Sequence, residues 1–233
     1  MVPTDVELRP ATPDDLTAIA DLFLRVRAAA VPGMPPIVQT SEEVHGYVGG
    51  WDLSKRDVWV ASTADGLAAF MVVEDDWLHS LYVAPEQQRA GLGGLLLDVA
   101  QTLRPNGFCL WVFESNTPAR NFYARRGCVE LERTDGSANE ERSPDLKLAW
   151  PGAEPITFFR GLIDEVDAQL GDLLARRAAL TAAVQPLKDD PERDPAREHA
   201  IAETMARRAP ALGTDRLTRI VHTIITESLD ASK

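Results

Sequence analysis

Residues 81–94 read Leu81-Tyr-Val83-Ala-Pro85-Glu-Gln-Gln88-Arg89-Ala-Gly91-Leu92-Gly93-Gly94, and the fold of the N-terminal half turns on them. A short apolar run ends at Val83, a proline closes it, and Gly91, Gly93 and Gly94 open a leucine-rich stretch. Glycine at such a junction lets backbone N–H groups approach an anion, and the helix N-terminus that follows adds a favourable dipole. A diphosphate suits such a nest. The dinucleotide-binding reading does not fit, because that fingerprint follows a first strand and has an acidic residue roughly 20 positions on. Here the turn comes late, after several strand-like runs.

Those runs are Val6–Arg9, Val58–Ser62, Leu67–Val73 and Leu78–Val83, followed beyond the glycine turn by Phe108–Phe113 and Leu146–Trp150. Helical patterning occupies Pro13–Ala30, Ser41–Trp51, Gly93–Leu103 and Pro118–Arg126, so residues 1–150 are expected to form an α/β domain. The proline-rich Val31–Thr40 segment predicts a stiff loop. Residues 151–155, Pro-Gly-Ala-Glu-Pro, are the expected linker. After it the strand signals stop. Phe159, Ile163, Val166, Leu170, Leu174, Thr181 and Val184 recur at three- and four-residue spacing and predict one long amphipathic helix, with Pro186 set to kink it. Asp194-Pro195 predicts the start of a second helix running to about Arg208, and Thr214 the cap of a third. Residues 156–233 are thus expected to be an all-α, three-helix domain.

The chain carries a formal net charge of -12 over 233 residues, which argues against the basic face of a nucleic-acid binder. No apolar run approaches the roughly 20 residues a membrane span needs, and the N-terminus has no signal-peptide pattern. A soluble, cytoplasmic protein is expected. Cys109 and Cys128 match no metal-ligand spacing and are expected as buried free thiols, with no metal site.

The run from Leu81 to Gly93 resembles motif A of the GNAT acetyltransferase superfamily, Q/R-x-x-G-x-G/A after an L-x-V-x-P strand end. Asn116-Thr-Pro-Ala119-Arg-Asn-Phe122-Tyr123-Ala-Arg-Arg-Gly127 resembles motif B. The resemblance implies acetyl transfer from acetyl-CoA to a small amine. By its terms Leu81 and Val83 pair with the pantetheine arm, the amides of Gln88, Arg89, Gly91, Leu92, Gly93 and Gly94 hold the diphosphate, and Asn116 hydrogen-bonds the cofactor. Tyr123 gives a proton to the departing thiolate. Two plainer roles stay open: Tyr123 packing on its helix, and Asn116 capping it. The attacking amine needs a base. His79, two residues before Leu81 and so expected on the same face, is one candidate, and Glu74 at the end of the preceding strand is the other. Trp51, Trp59, Trp77 and the Val31–Thr40 loop are expected around the acceptor.

In the C-terminal part, Arg177 and Lys188 fall on the stripe of Ile163, Leu170, Leu174 and Val184, with Cα atoms about 16 Å apart. Cations on an inward face imply anionic partners. Arg160-Gly-Leu-Ile-Asp-Glu-Val-Asp167, Leu173-Leu-Ala-Arg-Arg177, Lys188 and Asp194-Pro-Ala-Arg197-Glu198 resemble the AroQ chorismate mutases. The resemblance implies rearrangement of chorismate to prephenate in a homodimer built through the helical domain. Arg160 of a partner chain and Arg177 clamp carboxylates, Lys188 meets a carboxylate and the ether oxygen, and Arg197 orients the enolpyruvyl end. Asp194 and Glu198 bind the ring hydroxyl, and Ser228 the ring carboxylate. Ser232 stands where the family has Gln or Glu and is too short to reach the ether oxygen. The alternative is therefore an acetyltransferase whose helical domain only dimerises the chain or senses a related dianion.

Overall fold

The computed structural model describes residues 6–187 and 194–231. The chain divides into two units, Met1–Phe159 and Arg160–Lys233. The first unit is α/β and the second helical, as the two textures of the sequence imply. The division falls after the first turn of the long helix rather than at residue 155, because Phe158 lies against Gly107 of the first unit.

In the first unit the chain runs β1 (Glu7–Pro10), α1 (Leu16–Ala29), α2 (Ser41–Gly49), β2 (Asp57–Thr63), β3 (Gly66–Glu74), β4 (Trp77–Val83), α3 (Leu92–Leu103), β5 (Phe108–Phe113), α4 (Thr117–Arg125), β6 (Val129–Arg133) and β7 (Asp145–Trp150). The strands form one sheet in the order β1-β2-β3-β4-β5-β7-β6. Its neighbours are antiparallel except β4 and β5, which run parallel. The β6 strand has no counterpart in the sequence reading. All five of its residues are exposed at the sheet edge, so it shows no apolar alternation to find.

Apolar residues cover both faces of the sheet. One face carries Met71, Val73, Leu78, Phe108 and Leu110 against Leu96 and Leu97 of α3. The other carries Val58, Val60, Phe70 and Val72 against Ile19, Leu22 and Val26 of α1 and Val44 and Val48 of α2. Phe108, Leu96 and Leu97 are fully buried, each worth about 1.5–3 kcal/mol on burial. At the entry to α1, Thr12 and Asp15 form a reciprocal cap, and Arg9 grips the Asp15 carboxylate with two nitrogens at 2.7 and 2.9 Å.

Helix α5 (Pro155–Val184), most of which belongs to the second unit, is followed by a 3-10 turn, Gln185–Leu187, so the helix stops ahead of Pro186 rather than continuing through it with a kink. Next come α6 (Pro195–Arg208) and α7 (Gly213–Asp230). Asp194 caps α6 by accepting from the Arg197 N–H at 3.0 Å, with Pro195 in the first turn. Helix α7 starts one residue before Thr214, without a side-chain cap. Ala202, Leu217 and Val221 are buried there, whereas α5 contains no buried residue.

Candidate active site

Strands β4 and β5 pair at one rung, Trp77 with Cys109, where the Cys109 N–H donates to the Asp76 carbonyl at 2.9 Å. Beyond that rung the strands part, and a cleft of about 1290 Å³ opens between their ends. The Ala84 N–H donates to Ala68 of β3 at 2.8 Å, and β4 keeps register with β3 from Val83 back to Ser80. Hydrogen-bonding residues alternate along an antiparallel ladder, so Ser80, Tyr82 and Ala84 use their main-chain groups on β3. The main-chain groups of Leu81 and Val83 therefore face the opening. The Gln88 side chain reaches the Val83 carbonyl at 3.4 Å.

The glycine turn closes one end of the cleft. Arg89 and Gly91 have φ of +66° and +91°, so consecutive N–H groups turn to one side, which glycine at 91 allows without strain. The Gln88 and Ala90 amides bond back to Pro85 and Gln87, and Leu95 begins the helical ladder onto Gly91. The amides of Arg89, Gly91, Leu92, Gly93 and Gly94 remain without acceptors among the described residues. Free donors thus start at Arg89, and Gln88 braces the turn instead, through both its amide and its side chain. Gly93 lies beside Leu81, Val83 and Phe122, and Gly94 beside the Arg126 guanidinium.

From the other side, Asn116 accepts from the Ala119 N–H at 3.2 Å and caps α4, leaving its NH2 group uncommitted. Tyr123, 7% exposed, lies on α4 facing the sheet. Burial, with Cys128 and Tyr82 nearby, raises its pKa well above that of an ordinary phenol. Burial also pushes the neighbouring Cys128 thiol up to about 12.

His79 lies in a β-bulge. The register runs from Ser80 opposite Val72 directly to Leu78 opposite Val73, leaving His79 as the extra residue. An extra residue breaks the two-residue alternation. Leu78, Leu81 and Val83 pack on the α3 face, whereas His79 stands 3.9 Å from Glu74, and Glu74 pairs with Arg56, which lies over Tyr47 and Trp51 beside α2. The expectation that His79 shares a face with Leu81 is therefore corrected. His79 still lines the cleft; Glu74 does not, and its carboxylate is 3.0 Å from Arg56. Trp51, Trp59 and Trp77 do not line it either: Trp51 packs beside α2, Trp59 joins the α3-side core, and Trp77 stacks on Trp111. Trp111 is the tryptophan at the cleft wall, together with Phe113 and Met34.

Residues 54–129 match the family model described as acetyltransferase (GNAT) domain, and residues 159–233 that of chorismate mutase type II. An uncharacterized N-acetyltransferase of Archaeoglobus fulgidus is 31% identical over 153 residues, 58% of this chain and 100% of that one. The peptidyl-lysine N-acetyltransferase YjaB of Salmonella typhimurium is 31% identical over 100 residues, 42% of this chain and 68% of that one. The chain belongs to the GNAT N-acetyltransferases. The apo-form solution structure of YjaB from Escherichia coli shares the fold, with a TM-score of 0.52 at 22% identity, covering 64% of this chain and 99% of that one. The second part of this GNAT chain is a chorismate mutase type II domain.

In that domain Arg177 of α5 reaches α7, donating to the Ser228 hydroxyl at 2.7 Å and the Ile224 carbonyl at 3.3 Å. No carboxylate pairs with it among the described residues. Ser228 is buried, and the Glu198 carboxylate lies 3.9 Å from His222 of α7. Arg160 and Arg197 are exposed. The structure thus brings Arg177 and Ser228 together and leaves Arg160 apart. Lys188 and Ser232 lie outside the described residues. Among the described residues no group of His, Cys, Asp and Glu could hold a metal, and no helix is long and apolar enough to cross a membrane.

Sequence reasoning missed Arg27. It lies on α1, is 5% exposed, and forms an ion pair at 2.7 Å with Glu141 of the β6–β7 connection. The signal was present: Arg27 follows Ile19, Phe23 and Val26 on the inward stripe of its helix.

Proposed function

We propose that the chain is a bifunctional enzyme, an acetyl-CoA-dependent N-acetyltransferase joined to a chorismate mutase. What supports the first activity most is the parting of β4 from β5 with the unpaired amides of Arg89 and Gly91–Gly94 at its end. Those amides receive the diphosphate of acetyl-CoA, while Leu81 and Val83 bond the pantetheine arm as an added strand. The amine attacks the thioester carbon, a C–N bond forms and the C–S bond breaks. One proton leaves the nitrogen, taken by His79 directly or through water, and one is needed by the sulfur.

Tyr123 supplies the second. A phenol with a raised pKa is a poor acid toward a solvated thiol. The leaving thiolate, however, forms inside the cleft rather than in bulk water, and desolvation raises a thiol's pKa as well. Desolvation therefore narrows the gap, and Tyr123 can hydrogen-bond and then protonate the sulfur. Chorismate, for its part, is held by Arg177 and Ser228 with Arg160 of a second copy. The bare apolar stripe of α5, with Ile163 56% and Leu170 48% exposed, supports assembly through this helix. Family roles carry Lys188, Arg197, Asp194 and Glu198 into the same site.

The test is chorismate turnover, followed by loss of its ultraviolet absorbance. Turnover by the wild type supports the double activity. Absence of turnover, with chorismate still raising the melting temperature, leaves an acetyltransferase with a ligand-sensing or dimerising helical domain. Ser232 motivates that second reading.

A further inference from the structure

Beside the glycine turn the cleft is lined by Arg89, Arg125 and Arg126, in a chain whose formal net charge is -12. The carboxylates that line it, Glu141 and Asp145, belong to the β6–β7 connection and to β7, beyond β5. Arg89 and Arg125 are exposed. Arg126 is held in place. Its N–H closes α4 by donating to the Tyr123 carbonyl at 3.0 Å, and its side chain crosses to α3. There Nη1 donates to Asp98 Oδ1 at 2.7 Å, and the guanidinium carbon lies 5.9 Å from the Phe122 ring centroid. Nη2 takes the space of a side chain at 94: a Cβ there would overlap it and stand 3.3 Å from Cζ. Glycine at 94 therefore lets the guanidinium sit over the first turn of α3, beside the open amides. Nη2 and Nε have no acceptor among the described residues.

Pairing within the chain does not account for that placement. A cation at the head of a helix opposes the helix dipole. The Arg126–Asp98 pair is open to solvent, its side chains 36% and 57% exposed, so it contributes little to stability. An anion bound at the turn makes both features favourable, since the helix N-terminus and the guanidinium then attract the same charge. The open amides are enough for a diphosphate, which leaves Arg126 as a donor set in excess of it. Coenzyme A has a further phosphate, a monoester on the 3′-hydroxyl of its ribose, one sugar away from the diphosphate. The pantetheine arm runs along β4, so the nucleotide end is the part of the coenzyme left for α4.

Resting on the acetyl-CoA reading, we infer that Arg126 is a specificity-determining residue of the cleft: it holds the ribose 3′-phosphate of the coenzyme through Nη2 and Nε, with Asp98 and Gly94 fixing its guanidinium. A fixed fork of N–H donors suits the oxygens of a phosphate, and a site built to bond that phosphate disfavours a coenzyme without it.

The probes are CoA and 3′-dephospho-CoA, with binding to the full chain followed by calorimetry. The wild type should bind CoA about 10–100-fold more tightly than 3′-dephospho-CoA, and the ratio should shrink as salt rises. In Arg126→Gln the ratio should collapse to within about threefold of one, with affinity for 3′-dephospho-CoA nearly unchanged. In Arg126→Lys, which keeps the charge without the fork, it should take an intermediate value. Should Arg126→Gln fail to fold, Arg126→Lys and the wild-type ratio decide. Equal binding of the two coenzymes by wild type overturns the inference while the amide cradle stands. A parallel loss of both in Arg126→Gln, with the ratio kept, shows a mere brace between α3 and α4 and overturns it too. So does a ratio that survives Arg126→Gln and falls in Arg125→Gln, which assigns the phosphate to the exposed neighbour. If neither coenzyme binds the wild type, the transferase reading fails and this inference with it.

Discussion

On the proposed function, the two halves of the chain hold anions in different ways. In the GNAT unit the device is main chain: amides from Arg89 and Gly91–Gly94 at the head of α3, beside the open edge of β4. Every part of it comes from one stretch of one chain. In the helical unit the device is side chain, with Arg177 bonded to Ser228 across two helices and Arg160 standing exposed on a helix whose apolar stripe is uncovered. A backbone site is finished when the local turn forms, because the donors are fixed by φ and by the helix they begin. A site built from long cations on helix faces is finished only when something covers those faces. The first unit is therefore expected to work alone and the second in pairs.

The largest effect expected within the GNAT unit is on chemistry. Tyr123→Phe should lower kcat for acetyl transfer by about 10²–10³-fold, with acetyl-CoA affinity by calorimetry unchanged within about twofold. Full activity in this variant would remove Tyr123 from the reaction. Gly91→Val, which places a branched side chain at φ +91°, should weaken acetyl-CoA binding by about 10–100-fold through loss of the turn. Binding equal to wild type would mean the diphosphate is held elsewhere. In the helical unit, Leu174→Asp on the α5 stripe should leave a monomer in sedimentation while the GNAT unit keeps its melting transition, because Leu174, 37% exposed, lies on the stripe that the chain itself leaves open.

The smallest effect is a stability effect. The Arg9 guanidinium beside Asp15 holds its carboxyl well below the usual carboxylate range. A lowered folded pKa stabilises the protein fully above the ordinary carboxylate value and loses that share as pH falls through the folded one. Asp15→Asn should therefore cost about 1 kcal/mol near neutrality, and the difference from wild type should shrink below about pH 4. A melting-temperature gap that stays constant down to pH 2 would contradict this assignment.

What was legible in the sequence follows the same division. The glycine turn, the end of β4 and the capping Asn116 are local, and their residues name their conformation. The β4 bulge is not local: it is set by register against β3, and nothing in Trp77–Val83 announces that His79 leaves the alternation. Strand β6 gave no signal because an edge strand of exposed residues buries nothing. Arg27 and Glu141 are 114 positions apart, so their pairing is unreadable, although a cation on an apolar stripe was the very sign that picked out Arg177. In the helical unit the sequence named the residues by resemblance, and the seventeen positions between Arg160 and Arg177 on one helix already assigned Arg160 to a partner chain.

The contrast between the halves is tested most directly by measuring both activities across a dilution series, with the oligomeric state at each concentration followed by sedimentation. Acetyl transfer per chain should stay flat, and chorismate turnover per chain should fall in step with the dimer fraction. Chorismate turnover that persists undiminished in the monomer, or acetyl transfer that falls with dilution alongside it, would contradict the account.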